Sequence, residues 1–218
     1  MEKKKFAVVL SGCGVYDGAE IHEATMTMLS ILQSGAEYQC FAPDVEQYHV
    51  VNHLTGQQMK EKRNVLVESA RIARGDIKPL STFRAKNYDA LIFPGGFGAA
   101  KNLSTVAFDG AEATVNPEVE RAIIQMLELQ KPIGALCIAP AVVAKVIQGA
   151  EVTIGSDKGT ADTIRKMGGK HTVTSHGQVV HDKKYNVFTT PCYMLDATIL
   201  DIQKDASLVV SEIMKSIM

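Results

Sequence analysis

Cysteine is scarce in this sequence, and long hydrophobic runs are absent. The four cysteines are Cys13, Cys40, Cys137 and Cys192. Because no two of them form a CxxC pair, a disulfide framework or a zinc site is disfavoured, and free thiols in a reducing compartment are favoured. The apolar run after the lysines at 3–5 has only five residues, which is too short for a signal-peptide core or a membrane span. We therefore expect a cytoplasmic protein with no membrane partner and no metal.

An excess of charge of one sign is also missing. The 218 residues include 23 basic and 24 acidic ones, spread along the chain, for a net charge of −1. Without a basic stripe, the sequence gives no indication of nucleic-acid binding. Repeats, low-complexity tracts and Pro/Gly-rich linkers are lacking too, so we expect one domain over 1–218. Hydrophobic residues make up 46% of the chain, enough for a substantial core.

What the sequence does contain is an alternation of short apolar runs and helical patterns. This alternation predicts an α/β fold with a doubly wound, mostly parallel sheet and helices on both faces. Strands are predicted at 6–10, 38–42, 88–93, 133–136 and 152–154, with a small late β-hairpin from 171–180 and 185–190. Helices are predicted from a capping box of Asp17 and Glu20 to 34, and at 59–74, 117–129, 138–147, 160–167 and 196–217.

The segment around Cys137 carries the strongest functional signal. The strand at 133–136 runs directly into a helix, and small residues, Ala135 and Ala139, lie two positions on either side of the cysteine. This pattern is typical of a nucleophile elbow, and Pro140 suits a first helical turn. Unpaired N–H groups at the start of the helix favour a thiolate, so Cys137 is a candidate nucleophile. The alternative is a small buried hydrophobic residue.

Two other features belong to the same predicted sheet edge. Gly95 and Gly96 follow the strand at 88–93, and glycines there allow backbone N–H groups to approach a bound oxyanion. Glu23 lies near the start of the first helix, where a partly desolvated carboxyl group has a raised pKa and can shuttle a proton. A plain glycine turn and a surface glutamate are the alternatives. His22 and His53 are the imidazoles expected nearest to this edge.

The loop at 11–14 resembles the start of a dinucleotide-binding fingerprint. Asp17 stands where the third glycine of that fingerprint belongs, so a nucleotide cofactor is not predicted.

Several long motifs resemble one known family. The PGG turn, the A-x-C-x-A elbow and the early glutamate resemble the PfpI-like branch of the class I glutamine-amidotransferase-like superfamily, whose sheet is flavodoxin-like. The segments SGCGVYDGAEIHEA, NHLTG, PGGFGAAKNLS and TIGSD look like its ElbB subfamily, known as enhancing lycopene biosynthesis protein or isoprenoid-biosynthesis glyoxalase. The resemblance covers essentially the whole chain.

The resemblance implies a role for individual residues. Cys137 takes the position of the family's nucleophile and Glu23 that of its protonated carboxylic acid. Gly96 and the amide of Ile138 take the oxyanion-hole positions, and Gly95 belongs to the substrate-binding turn. Several superfamily members have a triad histidine soon after the strand that follows the elbow helix. This chain instead has Thr-Ile-Gly-Ser at 153–156, so the triad histidine is missing.

The activity implied by the resemblance is that of a cofactor-independent glyoxalase. Such an enzyme converts a 2-oxoaldehyde such as glyoxal into a 2-hydroxy acid, here glycolate, through a cysteine nucleophile. The resemblance also implies that the protein forms a homodimer. Its expected binding partner is a small aldehyde, which is the substrate. A redox-responsive or non-catalytic thiol protein is the alternative. A glutaminase is disfavoured because no H-x-E follows Cys137.

The stretch at 45–86 is longer than a connection between two strands requires. Long insertions in compact α/β domains are often lids or binding loops. We therefore expect Asn52 and His53 to lie over the Cys137 turn and contact the substrate, with His53 partly replacing the missing triad histidine. A loop-capping asparagine and an exposed histidine are the alternative.

Overall fold

A seven-stranded sheet forms the centre of the computed structural model, which describes residues 3–217. Its strand order is β3-β2-β1-β4-β5-β9-β8, and all neighbours are parallel except the edge pair β8 and β9. A second sheet pairs β6 with β7 in parallel. The strands are β1 Lys5–Val9, β2 Glu37–Ala42, β3 Ile77–Pro79, β4 Ala90–Phe93, β5 Ile133–Leu136, β6 Glu151–Val152, β7 Lys170–His171, β8 Val180–Asp182 and β9 Val187–Thr190.

Helices cover both faces of the sheet, so the predicted doubly wound α/β fold is confirmed. They are α1 Ile21–Gln33, α2 Val65–Ile72, α3 Phe97–Lys101, α4 Val106–Asp109, α5 Pro117–Glu128, α6 Ala139–Val146, α7 Lys158–Lys166 and α8 Ile199–Ser216. Within the described part of the chain, none of these helices has the length and apolar character needed to cross a bilayer.

Alternation along the central strands gives the protein two cores. In β1, Ala7 and Val9 face the core that includes residues of α5 and α6, whereas Phe6 and Val8 face the core that includes residues of α1 and α8. Successive side chains of a strand point to opposite faces, and both faces here are covered, so the central strands are continuously apolar.

The chain reverses its direction of winding between β1 and β4. From β1 it proceeds outward through β2 to β3, and after returning to β4 it proceeds the other way through β5 to β9. Ligand sites of open α/β sheets lie at such a switch point, beyond the carboxyl ends of the strands. The loops after β1, β4 and β5 meet there, and they carry the residues singled out in the sequence.

The insertion at 45–86 differs from its prediction in two ways. Its helix is α2, eight residues long, whereas the sequence pattern predicts 59–74. The residues before α2 form an extended arm, in which isolated bridges join Val51 to Gln58 and Glu46 to Asn64. The insertion also contributes β3 to the edge of the main sheet, where Pro79 is tolerated because an edge strand lacks a second partner.

The late hairpin is confirmed only in its second half. Val180–Asp182 pairs with Val187–Thr190 in antiparallel orientation. The beginning of the predicted first arm behaves differently, because Lys170–His171 leaves the hairpin and pairs with Glu151–Val152.

Candidate active site

Cys137 occupies the predicted tight turn between β5 and α6. Its φ is 60°, a left-handed conformation that a non-glycine residue adopts only at a cost. The Cys137 N–H donates to the Thr190 carbonyl at 3.0 Å, which continues the β5–β9 ladder by one step. Pro140 lies in the first turn of α6. The elbow geometry inferred from the small flanking residues is therefore present.

Two backbone N–H groups, those of Gly96 and Ile138, lie beside the Cys137 sulfur and act to lower the pKa of its thiol. Gly96 has a φ of 93°, which turns the chain after β4, and Ile138 is the N-cap of α6. These are the two amides that the resemblance assigns to an oxyanion hole. Both amides therefore act on the same sulfur atom.

Glu23 is fully buried, and its carboxyl group is fixed from three sides. The Gly95 N–H donates to Oε2 at 2.8 Å, the Tyr193 N–H approaches Oε1 at 3.3 Å, and the third contact is a hydrogen bond with the Cys137 thiol. Glycine at position 95 is required by this crowding. A Cβ there would collide with the Cys137 Cβ and lie 2.8 Å from Glu23 Oε2.

The environment makes both groups hard to ionise. Burial, and then the nearby Glu20 carboxylate, raise the pKa of Glu23 to about 8. Burial and the Glu23 charge likewise raise the pKa of Cys137, although the Gly96 and Ile138 amides oppose that rise. The expectation that the helix start lowers the thiol pKa is therefore wrong, because desolvation outweighs two hydrogen bonds. Glu23 and Cys137 act as a coupled pair whose first ionisation requires mildly alkaline pH.

The predicted capping box of Asp17 and Glu20 is wrong in its assignment. Helix α1 begins at Ile21, and Glu20 itself is the N-cap, whose side chain accepts a hydrogen bond from the Glu23 N–H at 2.7 Å. Asp17 instead accepts from the Val51 N–H at 2.6 Å. Asp17 thus fastens the insertion to the loop after β1.

Asn52 and His53 make contacts within the insertion and with that same loop. The Asn52 side chain accepts from the N–H groups of Leu54 and Thr55, which is a loop cap. His53 Nε2 accepts from the Tyr16 N–H at 3.2 Å, and its Nδ1 lies 3.0 Å from the Val51 carbonyl. No hydrogen bond among residues 3–217 joins either side chain to Cys137 or Glu23, so their role at the substrate stays a prediction.

The segment at 153–156, where the family resemblance puts the triad histidine of several superfamily members, forms a threonine network. The Thr153 hydroxyl lies 2.7 Å from the Thr174 hydroxyl and accepts from the Gly155 N–H. Among the hydrogen bonds of the described residues, none joins a histidine to Cys137. No group of His, Cys, Asp or Glu residues in the same range is arranged to hold a metal ion.

Sequence reasoning missed two residues of the site, Tyr193 and Cys192. Both lie in the short 3-10 helix that follows β9, and Cys192 is fully buried in the same apolar cluster as Cys137. Burial raises the pKa of Cys192, with further contributions from Glu23 and Cys137. The only signal in the sequence was their place just after a strand, at the edge that carries Cys137.

Two curated relatives place the chain in a family. It is 51% identical over 205 residues to the human "Glutamine amidotransferase-like class 1 domain-containing protein 3, mitochondrial", covering 89% of this chain and 76% of the relative. It is 47% identical over 223 residues to the rat "ES1 protein homolog, mitochondrial", covering 98% and 84%. The chain belongs to the ES1 family of glutamine amidotransferase-like class 1 domain proteins. No family model matches the sequence.

Solved structures agree with this ES1-family assignment. An isoprenoid biosynthesis protein with an amidotransferase-like domain from Ehrlichia chaffeensis superposes with a TM-score of 0.90 at 37% identity, covering 97% of this chain and 99% of that one. Glyoxalase III from Candida albicans superposes with a TM-score of 0.63 at 14% identity, covering 99% and 98%. The second likeness shows a shared fold alone.

The same relatives overturn the expectation of a cytoplasmic protein. Both curated ES1-family members are named mitochondrial. Scattered free cysteines indicate a reducing compartment, but they do not indicate which compartment it is.

Proposed function

We propose that this ES1-family protein is a cofactor-independent glyoxalase of the ElbB type, which converts a 2-oxoaldehyde such as glyoxal into a 2-hydroxy acid. The observation that carries the proposal is the convergence of one carboxyl group and two backbone N–H groups on a single buried sulfur. Nucleophilic catalysis at a carbonyl needs these three parts: a nucleophile, a proton carrier and donors for the developing oxyanion.

The first step is addition of Cys137 to the aldehyde carbon, C1. The ionised Glu23 carboxylate accepts the thiol proton as the C–S bond forms and the carbonyl electron pair moves onto O1. The Gly96 and Ile138 N–H groups donate to O1, which then takes the proton from Glu23. The product is a hemithioacetal beside a carboxylate.

The second step is isomerisation, and the third is hydrolysis. Glu23 removes the hydrogen of C1 as a proton, the electron pair forms the C1–C2 double bond of an enediol, and Glu23 returns the proton to C2. The resulting Cys137 thioester is cleaved by water, which releases the 2-hydroxy acid and the free thiol. Burial of Glu23 favours this role, because a carboxyl group with a pKa of about 8 is a stronger base than an exposed one.

The test is steady-state conversion of glyoxal to glycolate by the purified protein. We expect turnover by the wild type, loss of turnover in Cys137→Ala, and retention in Cys13→Ala, a matched control in which a partly exposed thiol outside the site is removed. Equal turnover by Cys137→Ala and wild type, or no turnover by the wild type, contradicts the proposal.

A redox-responsive thiol protein is the second candidate, and one observation favours it. Within residues 3–217 no histidine forms a hydrogen bond with Cys137, and a second buried thiol, Cys192, belongs to the same buried cluster. A wild type without turnover, in which a hydroperoxide oxidises Cys137 selectively, supports this function instead.

A further inference from the structure

The proposed reaction moves two protons, and the residues described so far carry only one. In the hemithioacetal, one hydrogen is on C1 and one on O1, whereas in the thioester one is on C2 and one on O2. Glu23 transfers the proton between the carbons. The Gly96 and Ile138 N–H groups beside O1 are donors only, so they hold an oxyanion but accept no proton. A hydroxyl or an imidazole near O2 would complete the transfer between the oxygens.

Tyr193 is a hydroxyl-bearing residue at the border of the site. Its N–H approaches Glu23 Oε1 at 3.3 Å, so its backbone belongs to the carboxylate's own support. Its half-buried side chain packs against the apolar cluster that contains Cys137 and Cys192. The phenol also experiences the charges of Glu20 and Glu23, which together with burial raise its pKa, so the hydroxyl keeps its proton at neutral pH.

His22 fixes the phenol from the solvent side. The Tyr193 hydroxyl lies 2.8 Å from His22 Nδ1, and the two ring centroids are 5.9 Å apart. His22 precedes Glu23 on α1 and is exposed, whereas Glu23 is fully buried. The pair therefore extends from the buried carboxyl group towards solvent, and no hydrogen bond within the described residues gives the phenol a different partner.

We propose that Tyr193 is a catalytic residue that protonates O2 of the Cys137 adduct, and that His22 is the positioning residue that orients its phenol. This inference rests on the proposed function. The phenol proton passes to O2 as the electron pair of the C2 carbonyl moves onto that oxygen. The O1 proton leaves as the thioester carbonyl forms and returns through water to the phenolate. Tyr193 and His22 thus end the cycle in the protonation states in which they began it.

The first experiment compares Tyr193→Phe with wild type. The variant keeps the ring and the backbone N–H to Glu23 and removes only the hydroxyl. We expect kcat for glyoxal to fall by ~10²-fold with a much smaller change in KM, the usual scale for a lost proton donor, while the rate of Cys137 alkylation by iodoacetamide is unchanged. Tyr185→Phe is the matched control, because its hydroxyl is bonded to the Gln148 carbonyl beyond the opposite end of β9.

A second pair of variants tests the positioning role of His22. An asparagine places an amide near the site of Nδ1, so His22→Asn is expected to retain most of the turnover. His22→Leu, which offers the phenol no partner, is expected to lose ~10-fold in kcat. Equal losses in both variants, or none in His22→Leu, overturn the positioning role.

A readout without turnover separates this inference from the proposed function. Reversible adducts protect Cys137 from alkylation, so protection by glyoxal is compared with protection by acetaldehyde, which has no O2. We expect glyoxal to protect Cys137 more strongly than acetaldehyde does, and we expect Tyr193→Phe to reduce this advantage of glyoxal.

The outcomes separate the two proposals. If the wild type shows no turnover but that advantage depends on Tyr193, the glyoxalase proposal fails and the Tyr193 contact stands. If turnover and the advantage both survive in Tyr193→Phe, the Tyr193 inference is overturned and the glyoxalase proposal stands. If glyoxal neither protects Cys137 nor is consumed, both fail.

Discussion

At the scale of single residues, the site is governed by the competition between burial and hydrogen bonding. Cys137 is at the start of a helix beside two backbone N–H groups, yet its pKa is raised because it is buried beside a carboxyl group. Glu23 also accepts two N–H donors, and its pKa is still about 8. When Cys137 and Glu23 together lose one proton, the single negative charge that results is therefore shared by both residues and the surrounding amides.

The pH dependence of Cys137 reactivity follows from this pairing. Glu23 assists removal of the thiol proton only when it is ionised, so the alkylation rate is expected to rise with pH through about 8. In Glu23→Gln the carboxylate no longer assists, and the rate follows ionisation of the thiol alone, whose pKa no longer carries the contribution of the Glu23 charge. Iodoacetamide labelling between pH 6 and 10, read by mass spectrometry, measures both profiles. Identical profiles for the two proteins contradict the coupling.

The substitution Gly95→Ala tests how closely Cys137 and Glu23 are packed. A Cβ at this position collides with the Cys137 Cβ, and its φ is not in the left-handed region, so the effect of Gly95→Ala is steric. We expect a loss of roughly 1–3 kcal/mol in the free energy of unfolding, as for other overpacked sites, and a fall in turnover of at least ~10-fold.

Gly159→Ala provides the matched control for Gly95→Ala. Its added Cβ meets only Asp157 Oδ1, at 3.6 Å, and it lies in helix α7, where alanine is favoured. Denaturant unfolding is expected to show an unchanged or slightly raised stability. If both substitutions have the same effect, close packing at Gly95 is not the cause.

At the scale of elements, the sequence predicted those parts whose signals are local. β5 and its turn into α6 are marked by an apolar run, small neighbours and a proline, and they occur where predicted. Residues 59–64 have a helix-like polar composition, but backbone bonds to the facing arm, including Gln47 N–H to the Arg63 carbonyl, hold them extended. β3 has three residues and depends on pairing with β2, which the local sequence does not reveal.

The residues of the candidate site also divide into those with a local signal in the sequence and those that are placed by pairing of distant strands. Cys137, Gly95 and Gly96 were predictable because each lies beside a strand end or a helix start, whereas Glu23 was assigned to the site through the family resemblance. Tyr193 was not predictable, because its place depends on β9 lying next to β5, a neighbour that is distant in sequence. The missing triad histidine at 153–156 was evident from the sequence, and within residues 3–217 the packing brings no other histidine into a hydrogen bond with Cys137.

The arm of the insertion provides a prediction at this scale. His53 packs against the loop after β1, accepts from the Tyr16 N–H and lies 3.9 Å from Asp17. We therefore expect His53→Ala to lower the free energy of unfolding by about 1 kcal/mol, while the rate of Cys137 labelling changes less than about two-fold.

Leu54→Ala is the control for His53→Ala, because this neighbouring side chain is 93% exposed. It should change neither stability nor labelling. A large fall in labelling with unchanged stability in His53→Ala supports the predicted contact with the substrate instead.

At the scale of the whole molecule, the topology explains why one site is assembled from four distant segments. β1, β4, β5 and β9 are neighbours in the sheet, and the segments that follow them all meet at one edge. Glu23 follows β1, Gly95 and Gly96 follow β4, Cys137 follows β5, and Tyr193 follows β9. The carboxyl group that this arrangement buries affects the stability of the entire chain.

Burial of Glu23 makes global stability depend on pH. The pKa of Glu23 is 4.5 in an unfolded chain and about 8 in the native protein, so between these values the native state binds more protons. The resulting contribution is fully present below pH 4.5 and is lost as pH rises through 8, with a size of roughly 5 kcal/mol. The side chain introduced by Glu23→Gln does not ionise, so the variant does not lose stability in this way as pH rises. Urea unfolding at pH 5 and pH 9 should therefore show that the advantage of Glu23→Gln over wild type grows with pH. Glu37→Gln, which alters a carboxyl group exposed at the surface, should not show this growth. An advantage of Glu23→Gln that is constant across this range means that the native carboxyl group is already ionised at pH 5.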